Sequence, residues 1–138
     1  MDRDSAFVGG IPDIYEDVLG PILFEPFARA VAQGFAGFEG RMLETAAGTG
    51  RLTRALLAAA PNAKIVATDL NAPMLEKAAS LVGGDRVTWQ TADALALPFD
   101  NGVFDAVACQ FGVMFFPDRV RGYKEARRVL RTGGAFTF

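Results

Sequence analysis

Histidine is missing altogether from these 138 residues, and cysteine and tryptophan occur once each. Without His, the commonest general base and the commonest metal ligand are gone together. With Cys109 as the one thiol, the chain lacks the side chains for a zinc site, a Cys/His nucleophile pair or an internal disulfide. An unpaired thiol fits a reducing cytosol. No apolar run approaches membrane-spanning length, and the opening Met1-Asp2-Arg3-Asp4-Ser5 is acidic, unlike a signal peptide. The expectation is a cytoplasmic chain with no membrane span. Clustered cations are scarce as well: 14 Lys and Arg stand against 16 Asp and Glu, giving a net charge of −2. No nucleic-acid partner is expected on that balance. Arg127, Arg128 and Arg131 fall near the end of an expected helix, where cations complement the macrodipole. Chemistry is left to carboxylates, hydroxyls or a bound cofactor.

What is present is globular. Apolar residues make up 51% of the chain and charged residues 22%, enough for one domain with a real core. Residues 1–40 read as a helical lead-in or lid, and 41–138 as the main domain. Gly20-Pro21 and Pro26 interrupt the lead-in, while Ile14, Val18, Phe24, Phe27 and Val31 keep helical spacing, so two short helices with a break are expected. Strands then alternate with helices. Strands are expected at 41–45, 64–68, 87–91 and 104–110, and helices at 50–60, 72–81 and 118–130. Met74, Leu75, Ala78, Leu81 and Val82 should share a face of the second of these helices, and Val120, Tyr123 and Leu130 should face inward from the last. Thr132-Gly133-Gly134 should close that last helix, and Ala135-Phe136-Thr137-Phe138 should begin a fifth strand. Alternation of this kind implies βαβ units with right-handed crossovers. The fold class is therefore α/β, a doubly wound, mainly parallel sheet of about five strands with helices on both faces. The sequence stops inside the fifth strand, which reads as the front part of a longer protein or as a short edge strand that a second copy could complete.

Parallel sheets bind ligands at the carboxyl ends of their strands. Strand one delivers Glu44 and the turn Ala46-Ala47-Gly48-Thr49-Gly50, strand two Asp69-Leu70, strand three Asp93-Ala94 and strand four Gln110-Phe111-Gly112. Small residues and Gly let a backbone approach a ligand closely. Three carboxylates converge there with no cations to pair them. Glu44 stands before the turn, where a phosphate would be repelled and a cationic or hydroxyl-bearing ligand welcomed, which favours S-adenosylmethionine over ATP or NAD. Asp69 follows Gly50 by 19 residues, close to the interval of about 20 for a ribose-binding acid. It is also placed to cap the next helix, although Asn71 stands nearer for that role. Asp93 reads as a ligand or as a cap for the turn through Leu95. Glu44, at the end of a buried strand, needs a cation or backbone N–H donors to offset the cost of burial.

Four blocks carry a resemblance: Leu43-Glu44-Thr45-Ala46-Ala47-Gly48-Thr49-Gly50, Ala67-Thr68-Asp69-Leu70-Asn71-Ala72-Pro73-Met74-Leu75, Ala92-Asp93-Ala94-Leu95-Ala96-Leu97-Pro98-Phe99 and Phe104-Asp105-Ala106-Val107. With Arg128-Val129-Leu130-Arg131-Thr132-Gly133-Gly134, the chain resembles class I S-adenosylmethionine-dependent methyltransferases of the quinone-biosynthesis group. The resemblance implies that Ala46, Gly48 and Gly50 underlie the methionine and ribose portion of the cofactor, with Glu44 near its amino-acid end. It implies that Asp69 takes the ribose hydroxyls, that Leu70 and Met74 pack on the adenine, and that Asp93 with the Ala94 backbone meets the adenine amino group. The main chain at Gln110 would reach the methionine amino group, and Tyr15 would lid the cofactor or merely pack. Ala46 stands where the family usually has its first glycine, a change compatible with binding if φ is negative there. The family's antiparallel strands after strand five are absent from this sequence.

The expected activity is methyl transfer to a small-molecule acceptor, with no catalytic residue singled out. The alternative is a cofactor-binding module without activity of its own, a fragment completed by a partner chain. An NAD-dependent oxidoreductase would need G-x-G-x-x-G, and here Thr53 takes the third glycine's place.

Overall fold

The structure, a computed structural model, describes residues 11–138, with the side chains of Ile11, Pro12, Tyr15 and Glu16 excepted. Five strands form one sheet in the order β3-β2-β1-β4-β5, every pair parallel. They are β1 (Gly40–Glu44), β2 (Ala63–Asp69), β3 (Val87–Thr91), β4 (Phe104–Ala108) and β5 (Leu130–Thr137). The helices are α1 (Ile11–Ile14), α2 (Glu25–Gln33), α3 (Arg51–Ala59), α4 (Ala72–Leu81) and α5 (Arg119–Val129).

The central strands are apolar on both sides, and successive side chains go to opposite layers. Met42, Ile65 and Ala67 pack with Ala28, Leu52 and Leu56 on one side; Leu43 and Val107 pack with Leu97, Ala126 and Val129 on the other. Met42, Leu43, Leu56 and Phe104 are wholly buried, and each such side chain contributes on the order of 1.5–3 kcal/mol. The strand order reverses at β1, which places the turn after β1 beside the ends of β2 and β4. That is the topological switch point of a doubly wound sheet.

Several elements depart from the sequence reading. The lead-in has no break. Residues Tyr15–Phe24 wind as a wide π-type helix between α1 and α2, with Glu25 N–H donating to Gly20 O five residues back. Proline removes a donor and crowds the carbonyl four residues before it; the wider winding accommodates Pro21. Ile14, Val18 and Phe27 are more than half exposed, and Ala28 and Ala32 form the buried stripe. β4 stops at Ala108, two residues short of the expectation, because Phe111 has φ +61 and turns the chain.

The last helix differs most. Gly122, Ala126 and Val129 face inward while Val120 is 63% exposed. A Cβ on Gly122 would lie 2.7 Å from the Phe116 ring, so that ring needs a small residue beneath it. Thr132-Gly133-Gly134 does not close the helix. β5 already runs from Leu130, and five residues from Leu130 to Ala135 span the two from Phe104 to Ala106, a bulge with Gly133 at φ +80. On α4, Met74, Leu75, Ala78 and Val82 are buried and Leu81 is exposed.

Candidate functional site

At the carboxyl ends of β1, β2 and β3 lies an open cleft of about 520 Å³ lined by Ala46, Asp69, Leu70, Asp93, Ala94 and Gly112, with Asn71, Ala92, Leu95, Phe115 and Phe116 completing its walls. The turn after β1 forms one side. Ala46, Gly48 and Gly50 all have left-handed backbone, at φ +53, +57 and +83. Ala46 thus does not meet the condition of a negative φ set by the sequence.

Asp69 organises this turn. Its Oδ2 accepts the Gly48 N–H at 2.8 Å and its Oδ1 the Asn71 N–H at 2.9 Å. The Asn71 side-chain amide also donates to Oδ1, at 3.5 Å, so three of the carboxylate's roughly four acceptor positions are engaged. Asn71 stands at the N-cap of α4 without a side-chain capping bond, so the acid, not the amide, ties down this entry. Its charge joins the end of β2 to the glycine turn across the switch point. Asp93 is exposed and takes the Leu95 N–H on its Oδ1 at 2.8 Å, the turn-capping geometry that its sequence position allows.

The two glycines differ. A Cβ on Gly48 would meet nothing within 4 Å, leaving its face open to a ligand. A Cβ on Gly50 would lie 3.0 Å from Trp89 Cη2 and 3.2 Å from Ala78 Cβ, so Gly50 is closed off by packing. Leu70 lines the cleft, and Met74, 5% exposed, lies outside the set of lining residues.

Glu44 does not join the other two acids at the cleft surface. It is 1% exposed and receives the Thr53 hydroxyl on Oε2 at 2.5 Å, while its own carbonyl accepts the Thr68 hydroxyl at 2.9 Å. Burial pushes its carboxyl up to about 8, opposed by the Thr53 bond and aided by the Asp69 charge. Near neutral pH it is held largely as the neutral acid. Within the protein, the hydroxyl of Thr53 is the side-chain donor that offsets its burial.

Gln110 and Phe111 face the lead-in. Gln110 Nε2 donates to Phe24 O at 3.0 Å, and the Phe111 ring meets Phe24 and Phe27 at centroid distances of 5.9 and 5.3 Å. Arg51, opening α3, pairs with Glu25 at 2.9 Å. The lead-in is thereby joined to both loops that flank the cleft. Tyr15 lies in the wide helix, and its side chain is outside the described residues. Sequence reasoning missed Phe115 and Phe116 as lining residues. The aromatic run Phe111-Gly112-Val113-Met114-Phe115-Phe116 after a buried strand was the signal for them.

Arg128 binds Glu125 and the carbonyls of Phe99 and Leu97, pinning the loop after β3 to α5, a role beyond the macrodipole effect expected of this cation. Among the described residues, no helix is long and apolar enough to cross a membrane.

With this geometry in hand, likeness to known proteins is informative. The family profile described as "Methyltransferase domain" matches residues 42–134. A demethylmenaquinone methyltransferase of Deinococcus radiodurans is 37% identical over 107 residues, covering 76% of this chain and 44% of that protein. A ubiquinone/menaquinone biosynthesis C-methyltransferase of Paracoccus denitrificans is 32% identical, covering 88% of this chain and 51% of that one. The chain thus spans about half the length, or less, of these curated relatives. Among solved structures, a putative S-adenosyl-L-methionine-dependent methyltransferase of Methanococcus maripaludis superposes with a TM-score of 0.77 at 23% identity, covering 93% of this chain and 60% of that one. At that identity the likeness speaks for the fold.

Proposed function

We propose, from the premise that the chain belongs to the methyltransferase-domain family, that its cleft binds S-adenosylmethionine and serves methyl transfer to a small-molecule acceptor. The observation that carries this reading is the Asp69 carboxylate. It fixes the Gly48 turn from the end of β2 and keeps acceptor capacity toward the cleft. In this reading Asp69 accepts the ribose hydroxyls, and the open face of Gly48 lets the backbone approach. Leu70 packs on the adenine, with Met74 behind it in the core. Asp93 and the Ala94 backbone face the adenine amino group. The turn residues Ala46 and Gly50 shape the methionine side, and the main chain at Gln110 holds the amino group there. Glu44 supports that end from beneath. Tyr15 and the lead-in cover the cleft, supported by the Gln110–Phe24 and Arg51–Glu25 contacts.

When bound, this cofactor supplies an already activated methyl group to an in-line nucleophile. The protein's part is then to hold two reactants in register, and orientation of that kind supplies on the order of 7–11 kcal/mol of barrier reduction. Buried acids near a cationic ligand favour its ground state, and are not by themselves a source of rate. No general base is assigned. The quinone-pathway names of the relatives support a small aromatic acceptor.

A second reading keeps the cofactor and drops the turnover. The chain spans 44% of its Deinococcus relative, and a binding module completed by further chain or a partner fits that share. Calorimetry with S-adenosylmethionine, followed by transfer of labelled methyl to quinol-type and phenolic acceptors, separates the two. Binding with turnover is expected; binding without turnover selects the module; absence of binding sinks both.

A further inference from the structure

We propose that Ala46 and Gly112 form a matched steric pair which sets the separation of the two cleft walls and thereby positions the cofactor. The residue types are the reverse of what the backbone prefers. Ala46 carries a methyl group at φ +53, where glycine is favoured. Gly112 opens the short 3-10 turn Gly112–Phe115 without a positive φ, so its backbone does not demand glycine. Space demands it. A Cβ on Gly112 would fall 2.2 Å from Ala46 Cβ and 3.1 Å from Cys109 Sγ.

One methyl group therefore fits between the walls, and the chain places it on the strained side. Both walls are tethered to the sheet close to the pair. Thr45 N–H donates to Ala108 O at 3.0 Å, Ala47 N–H to Thr68 O at 2.9 Å and Cys109 N–H to Thr137 O at 2.9 Å, which fixes both loops to the sheet. Ala46 and Gly112 both line the cleft, so the gap they set is the width offered to the ligand. These are positioning residues. The inference rests on the cofactor reading above, and the experiment keeps the two apart.

The test is a double-mutant cycle on the 138-residue chain: wild type, Gly112→Ala, Ala46→Gly and the double variant. Each is melted thermally and titrated calorimetrically with S-adenosylmethionine below its melting point. Gly112→Ala should melt at least 5 °C lower, or fail to fold, and bind at least tenfold more weakly. The double variant should regain the wild-type melting point or exceed it, and bind within threefold of wild type. Ala46→Gly should melt higher while binding three- to tenfold more weakly, a split that a purely structural role would not produce. A double variant no better than Gly112→Ala overturns the pair, and Ala46→Gly with undiminished affinity overturns its positioning role. A wild-type chain that binds no cofactor overturns the cofactor reading, and the melting cycle then decides the steric pair alone.

Discussion

The two ends of the sheet put similar residue types to opposite uses. At the amino ends of the strands lies the wider depression, about 830 Å³, lined in part by Arg41, Lys64 and Arg86, against about 520 Å³ for the cleft at the carboxyl ends. Size alone would choose the amino-end depression, which is not the proposed cofactor site. At the amino end the polar groups hold one another: Asp105 takes the Arg41 N–H at 2.8 Å and Arg131 Nε at 2.6 Å, and Arg86 closes on the carbonyls of Ala60 and Leu57. At the carboxyl end the acids bind backbone N–H groups, and the chain passes through left-handed conformations at Ala46, Gly48, Gly50 and Phe111. Among the described residues, left-handed backbone at residues other than glycine is confined to the carboxyl end, at Ala46 and Phe111.

Asp69→Ala should break the carboxyl end most severely. Loss of the carboxylate that accepts two backbone N–H groups and faces the ligand should weaken S-adenosylmethionine binding about 100-fold, or ~2.7 kcal/mol. Circular dichroism should show the fold retained. Unchanged affinity in calorimetry would reduce Asp69 to a brace for the turn.

Glu44→Gln probes the layer beneath. Its folded pKa of about 8 lies above the ordinary 4.5, so the folded state holds a proton that the unfolded chain releases. The stability this lends is complete below the unfolded pKa and is lost as pH rises through the folded one, at no more than about 1.4 kcal/mol per pH unit. Urea midpoints between pH 5 and 9 should therefore fall with pH in the wild type and stay flatter in Glu44→Gln. Parallel slopes would mean that the acid is ionised where it lies.

The smallest effect is expected at the amino end. Asp105 is held below the usual carboxylate range by the Arg41 N–H and then Arg131. Asp105→Asn should cost roughly 1 kcal/mol of stability or less, since the pair is partly solvated. Cofactor affinity should stay within twofold. A larger loss of binding would show that the two ends are coupled, and the contrast between them would fail.

Much of this organisation was legible in the residues. β3 and α4 fall at 87–91 and 72–81 as read, because Pro73 near the start of α4 and Gly83-Gly84 after it bound a strongly patterned segment. The acids at the strand ends were legible too, since strand ends are where parallel sheets place polar groups. What the sequence concealed depends on partners distant along the chain. Thr53 neutralises the cost of Glu44 from the following helix, and nothing in the strand announces it. On α5 the apolar spacing pointed to Val120, Tyr123 and Leu130. Tyr123 meets the Phe136 and Phe138 rings and Leu130 packs on the core, but Val120 is exposed and small Gly122 faces the Phe116 ring instead. Gly20-Pro21 read as a break because an ordinary helix would break there; a wider one carries on.

Trp89, the one indole in 138 residues, rests on Gly50 at the back of the cleft turn. That contact leaves no room for a side chain on Gly50. It has an optical consequence as well. The chain carries a single built-in fluorophore on the rear of its ligand turn, so a shift of that turn alters emission with no label attached and no competing indole to subtract.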